Sequence, residues 1–179
     1  MKSVNIKSLF TEKDCEYILS HFIDFRKRQI YIENGETNKP YWNLNERPSQ
    51  SDIPISKELS LFLIKKLEKH IPIIGFPKLV QVLNYKEGSK FEKHKDDIES
   101  NKERYLTLLI QLSDKKDYEG GSFVYYENDK KNIGHKELGS VICIRSSVWH
   151  EVTEIKKGSR DVFVVWLTSQ MIKKESSIL

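Results

Sequence analysis

The stretch Leu106-Thr107-Leu108-Leu109-Ile110-Gln111-Leu112 sets an apolar residue at every even position, while its odd positions include Thr107 and Gln111. Successive side chains of an extended chain point to opposite faces, so this is a strand with one greasy face and one face that carries polar groups. The run at 160–168 differs. Here Val162, Val164 and Trp166 alternate with Phe163, Val165 and Leu167, which predicts a strand buried on both faces. Helices outside and a polar-studded cavity inside would satisfy both strands at once.

Working outward, the chain from about Lys78 is a series of short runs rich in Val, Ile, Leu, Tyr and Phe. Turn clusters such as Lys86-Glu87-Gly88, Glu119-Gly120-Gly121 and Lys156-Lys157-Gly158-Ser159 separate them. Strands are predicted near 78–85, 91–96, 105–112, 122–126, 139–145, 148–153 and 160–168. Ahead of them lie two helices. The first runs from Thr11 to about Arg28, with Thr11 as cap, Glu12 and Asp14 in the first turn, and Tyr17, Ile18, Phe22 and Phe25 as its apolar stripe. The second runs from Ser56 to about His70, with a stripe of Leu59, Leu63, Ile64 and Leu67 and a stop at Pro72. Between them, residues 30–55 have little periodicity. Tyr41, Trp42 and Arg47 could belong to a lid over a pocket; a packed surface loop or short strand is the alternative.

The expected fold is therefore mainly β with supporting α, a sandwich or distorted barrel with N-terminal helices packed on one sheet. The 179 residues suit one domain, with 1–75 as helical support and lid region and 76–172 as the β core. Hydrophobic residues make up 38% and charged ones 31%, the balance of a soluble globular chain. The formal charge of +4 comes from 30 basic and 26 acidic residues, and the Lys-Lys pairs are dispersed, which argues against a nucleic-acid partner. No stretch is apolar enough for a signal peptide or membrane span, so a cytoplasmic location is expected. Cys15 and Cys143 stand far apart in unlike contexts and read as buried thiols.

His94-Lys95-Asp96 is a pair of metal-ligand types two residues apart, a spacing that puts both side chains on one face of an extended segment. Alone it is weak. His150, at the start of a late β-run, supplies a third candidate, and two imidazoles with one carboxylate form the facial set of non-haem iron(II) oxygenases. Such a set leaves three coordination positions open, two for a chelating oxo-acid and one for dioxygen. Ten residues later, Arg160 opens the final strand, where an inward guanidinium would suit the distal carboxylate of 2-oxoglutarate. An isolated arginine there would read as an exposed turn residue. His21, His70 and His135 lie outside this pattern and read as surface or helix-end residues, while Trp149 and Trp166 read as core.

Taken in order, His94-x-Asp96, Leu112-Ser113-Asp114, Asp117-Tyr118-Glu119-Gly120-Gly121-Ser122-Phe123, Leu138-Gly139-Ser140-Val141, His150-Glu151-Val152-Thr153, Gly158-Ser159-Arg160 and Trp166-x-x-Ser169-Gln170 resemble the PKHD-type hydroxylases. These belong to the prolyl 4-hydroxylase-like iron and 2-oxoglutarate oxygenases, and the resemblance covers about residues 79–172. It implies a double-stranded β-helix (jelly roll, cupin-like), Fe(2+) at His94, Asp96 and His150, and 2-oxoglutarate at Arg160. It also implies O2 as co-substrate, L-ascorbate as a reductant and a hydroxylated product. Tyr85 occupies a position where related oxygenases often place a tyrosine on the co-substrate; a core tyrosine is the other reading. Arg145 is a departure, since the family commonly has proline there. The implied substrate is a peptidyl residue such as proline. A free amino acid or small metabolite, an alkylated nucleic acid, and a non-catalytic β-sandwich binding module are the competing readings.

Overall fold

The structure, a computed structural model, describes residues 2–22, 48–98 and 101–173, without the side chains of 49–51. Strands β1 (Val4–Ile6), β2 (Ser49–Pro54), β3 (Leu79–Tyr85), β5 (Arg104–Gln111), β9 (Val141–Arg145) and β12 (Arg160–Thr168) form a large antiparallel sheet in the order β1-β9-β5-β12-β3-β2. A smaller sheet has the order β4-β10-β7-β8, from β4 (Phe91–His94), β7 (Phe123–Glu127), β8 (Lys130–Ile133) and β10 (Trp149–Val152). The remaining pair, β6 (Tyr118–Gly120) and β11 (Ile155–Gly158), makes a two-stranded ribbon. All seven expected strands exist, with ends moved by a residue or two. β1, β6, β8 and β11 were not foreseen, being short or polar, while β2 falls in 30–55, where a short strand was one of the alternatives.

The two faces of the large sheet have separate cores. On one side Val80, Val82, Leu106, Leu108, Ile110, Phe163, Val165 and Leu167 pack with Ile18 of α1 (Glu12–Ser20) and Leu59, Leu63 and Leu67 of α2 (Lys57–Leu67). On the other, Leu83, Leu109, Val162 and Val164 meet Phe123, Tyr125 and Val152 of the smaller sheet. Helices on one face and a second sheet on the other make up the expected jelly-roll layering.

Both helices start where expected. Thr11 accepts from the backbone N–H of Asp14, whose carboxylate accepts from Thr11 N–H in return, and Ser56 caps α2 by accepting from Leu59 N–H. The first helix is shorter than predicted: His21 N–H donates to Ile18 O and Phe22 N–H to Leu19 O, tightening the last turn so that α1 ends at Ser20. Phe22 is fully buried beyond that end, so the apolar stripe continued through a turn and not through helix. Residues 23–28 and the lid candidates Tyr41, Trp42 and Arg47 lie outside the described residues. Cys15 and Cys143 are free buried thiols, each pushed up to about 12 by burial. Among the described residues no helix is long and apolar enough to cross a membrane.

Gly139 ties the N-terminal segment to the large sheet. Its carbonyl accepts from Phe10 N–H, its own N–H donates to Gln111 O, and its φ is +72°. A Cβ here would stand 1.9 Å from the Phe10 carbonyl oxygen. Gly139→Ala should therefore cost about 2–4 kcal/mol, combining left-handed strain with displaced backbone. Urea denaturation would measure it, and a loss below about 0.5 kcal/mol would show that the segment shifts freely.

Candidate active site

Alternation aims one side-chain set of the large sheet into the space between the sheets. Gln81, Leu83 and Tyr85 of β3, Thr107 and Leu109 of β5, and Val164 and Trp166 of β12 line a cavity of about 340 Å³, within reach of small-molecule sites. His94, Asp96 and His150 line the same cavity. His94 is the last residue of β4 and stands directly opposite His150 of β10. Asp96 lies just beyond β4, and its backbone N–H donates to Ser146 O at 2.9 Å.

One potential ligand atom from each of the three residues falls within 4.8 Å of the others. Asp96 Oδ1 is 3.5 Å from His94 Nε2, and Asp96 Oδ2 is 3.3 Å from His150 Nε2. The opposite ring nitrogens fix the tautomers. His94 Nδ1 is 2.7 Å from Glu92 O and His150 Nδ1 is 2.9 Å from Val148 O. A carbonyl only accepts, so each Nδ1 carries the proton and each Nε2 lone pair is left to face Asp96. That lone pair holds either a metal or a second proton, and the two compete.

Burial would push the Asp96 carboxyl up, yet the Nε2 groups of His150 and His94, which can donate to it only when each carries its second proton, and the Thr107 hydroxyl hold it well below the usual carboxylate range. Thr107 Oγ1 donates to Asp96 Oδ2 at 2.6 Å and lies 3.1 Å from Ser146 Oγ. The donor set is two neutral imidazoles and one carboxylate, which fits a divalent metal with open positions.

Arg160, the first residue of β12, is 1% exposed and stands opposite Tyr85 of β3. Its Nε donates to Gln111 Oε1 at 3.1 Å, and Gln111 Nε2 donates to the Tyr118 hydroxyl at 3.0 Å. Burial raises the Tyr118 pKa against the opposing charge of Arg160, so the phenol keeps a proton to donate. Arg160 Nη1 is buried and has no hydrogen-bond partner. Arg160 itself does not line the cavity, whereas Tyr85 does, with its ring centroid 5.1 Å from the guanidinium carbon. A buried cation with a spare donor fits an anionic group entering past Tyr85.

Thr107, Gln111 and Tyr118 were not picked out as site residues by sequence reasoning. Thr107 and Gln111 carried a signal, being the polar positions of an otherwise apolar strand. Two expectations need correction. Trp149 is 46% exposed and not core, because it takes the outward parity beside His150 on β10. Trp166 belongs to the cavity wall, where its parity on β12 matches Val162 and Val164. Arg145 ends β9 over the Tyr105 ring, away from the cavity wall. His70 and His135 are exposed and His21 caps the end of α1, as expected.

Residues 80–168 match the family described as the 2OG-Fe(II) oxygenase superfamily. Among curated proteins, a PKHD-type hydroxylase of Prochlorococcus marinus is 33% identical over 122 residues, 64% of this chain and 55% of that protein. A second, from Parvibaculum lavamentivorans, is 30% identical over 48% of this chain and 39% of its own length. The chain thus spans about half the length of these two relatives or less. A PKHD-type hydroxylase of Shewanella baltica is 24% identical over 96% of this chain and 80% of that protein. Among solved structures, a prolyl-4-hydroxylase of Pseudomonas putida superposes with a TM-score of 0.65 at 12% identity, covering 93% of this chain and 91% of the other. A prolyl hydroxylase of Trichoplax adhaerens, in complex with a hypoxia inducible factor oxygen degradation domain peptide fragment, gives 0.68 at 16% identity, covering 94% and 84%. The matched stretch runs from β3 through β12 and contains His94, Asp96, His150 and Arg160, and the chain belongs to the 2OG-Fe(II) oxygenase superfamily.

Proposed function

We propose that this chain is an Fe(2+)- and 2-oxoglutarate-dependent dioxygenase that hydroxylates an unactivated C–H bond of a peptidyl residue such as proline. The observation that carries this reading is the convergence of His94, Asp96 and His150 with both Nδ1 protons already committed to backbone carbonyls. Bound there, Fe(2+) would couple decarboxylation of 2-oxoglutarate to succinate with transfer of one oxygen atom of O2 into the substrate C–H bond. The chain's own part is positioning. Glu92 O and Val148 O hold the imidazoles in their ligating tautomer, and Thr107 keeps the Asp96 carboxylate oriented and charged. Arg160, steadied by Gln111, offers its spare N–H to the distal carboxylate of the co-substrate, with the Tyr118 hydroxyl as a second donor and Tyr85 packed over it.

Peptide as substrate draws support from the peptide-bound Trichoplax relative. L-ascorbate as reductant and a cytoplasmic site of action belong to the same proposal. So does the division of the chain into a helical support at 1–75 and a catalytic core at 76–172 acting as one domain.

Anaerobic titration of the protein with Fe(2+) and then 2-oxoglutarate should give the weak visible charge-transfer band of the chelate, and air with substrate should yield succinate. Absence of the band at saturating Fe(2+) would sink the reading. Arg160→Ala should weaken 2-oxoglutarate binding by about one to two decades, the worth of one charge-assisted hydrogen bond, while Fe(2+) affinity changes little. Lysine at this site should rescue only in part, since it keeps the charge and loses the planar fork. Equal 2-oxoglutarate affinity in wild type and Arg160→Ala would remove Arg160 from the site.

Thr107→Val tests the support of the metal carboxylate. Its loss should lower Fe(2+) affinity about 10- to 100-fold, as removal of outer partners of metal ligands does. Unchanged Fe(2+) affinity in a folded variant would make the Thr107 contact incidental.

A further inference from the structure

Arg104 breaks the parity of its strand. In β5 the even residues Leu106, Leu108 and Ile110 pack toward the helices, and strict alternation would send Arg104 with them. The pairing with β12 slips at this point: Leu106 stands opposite Leu167, but Arg104 stands opposite Thr168. Two steps along β5 therefore match one along β12, which is a β-bulge at Tyr105. The extra residue turns Arg104 to the other face, and it lines the cavity together with Trp166.

There the guanidinium carbon sits 3.8 Å from the Trp166 ring centroid. Stacking of this kind occupies the face of the guanidinium and leaves its in-plane N–H edge for an acceptor. Among the described residues the Arg104 guanidinium has no hydrogen bond or ion pair. The acidic groups nearest in influence are Asp96, Glu103 and Asp52. Asp96 is held by Thr107 and faces the two imidazoles, Asp52 accepts from Gln81 Nε2 at 2.6 Å, and Glu103 is exposed outside the cavity wall. A second unused donor lies beside it, since Trp166 Nε1 is buried without a partner. Among the described residues Asp96 is the only acid in the cavity wall, against Lys95 and Arg104.

We propose that Arg104 is a specificity-determining residue that binds a carboxylate of the substrate next to the C–H bond to be oxidised. This rests on the oxygenase reading above and adds the substrate class, a compound or peptide with a negative charge beside its reactive carbon. A planar carboxylate can take two parallel N–H bonds from the free guanidinium edge, which an amide of the same shape cannot do. The carboxylate has two possible sources, an acidic side chain in a peptide or the free acid of a small molecule.

The test is calorimetry on the anaerobic protein loaded with Fe(2+) and 2-oxoglutarate, using matched probes. One pair is acetyl-Asp-Pro-Gly-amide and its Asn counterpart; the other is N-acetyl-L-proline and N-acetyl-L-prolinamide. The carboxylate member of at least one pair should bind about tenfold tighter or more, and the responding pair identifies the source. Arg104→Gln should erase the preference and Arg104→Lys should keep part of it. Lys95→Gln, which removes the other cation of the described cavity wall apart from the histidines, should leave most of it. The 2-oxoglutarate concentration that develops the visible band should be the same in Arg104→Gln as in wild type.

Equal or absent binding of both members in both pairs overturns the proposal. So does a preference that survives Arg104→Gln, or one that Lys95→Gln removes equally, since that would be a general field effect. A loss of 2-oxoglutarate affinity in Arg104→Gln matching that in Arg160→Ala would assign Arg104 to the co-substrate instead. Failure of the oxygenase reading shows separately, as absence of the chelate band in wild type.

Discussion

Alternation along β5 from Leu106 onward, and along β12, imposes two unlike environments on the same pair of strands. Leu106, Leu108 and Ile110 of β5 and Phe163, Val165 and Leu167 of β12 must suit a dry interface with α1 and α2, and the opposite parities must suit a cavity walled in part by charged side chains. A slip of one residue would exchange the sets, burying Thr107 and Gln111 beneath the helices without partners. Each buried polar group stranded that way costs on the order of 1–3 kcal/mol, so register and chemistry are specified together.

The site depends on this pairing because neither sheet holds it alone. His94 and His150 come from the smaller sheet, while the hydroxyl that orders Asp96 and the amide that orders Arg160 come from β5 of the large one. Asp96 is the joint. Its main chain is bound to Ser146 O and its carboxylate to Thr107, so a residue outside any strand is held from two directions. A buried carboxylate facing two imidazoles across 3.3 and 3.5 Å is electrostatically poised for a cation between them.

Much of this was legible in the residues. The even and odd positions of 106–112 and 160–168 predicted which side chains face the helices and which face a cavity, and the ordered motifs located His94, Asp96, His150 and Arg160. What alternation could not reveal is where it fails. β5 carries a bulge at Tyr105, and β4 carries another, since His94 and Phe91 stand opposite His150 and Val152. The second puts Phe91 and His94 on one face, their rings 4.4 Å apart, although they are three residues apart in sequence. A bulge depends on pairing between distant strands, so no local pattern announces it. The partners of Arg160 were hidden for a similar reason: Gln111 and Tyr118 reach it only after β5, β6 and β12 have met.

The position of β12 has a consequence for how the chain acquires its shape. Among the described residues it is the last strand, and yet it lies inside the large sheet, between β5 and β3. Until it inserts, β3 and β5 each expose a row of unpaired backbone groups, and the side chains meant to meet Phe163 and Val165 stay wet. Such long-range closure favours slow folding, in milliseconds to seconds for β-rich domains, with an open-edged intermediate prone to association. During synthesis, the two halves of the sheet must wait side by side for the strand that joins them, and that strand opens with the arginine at the bottom of the site.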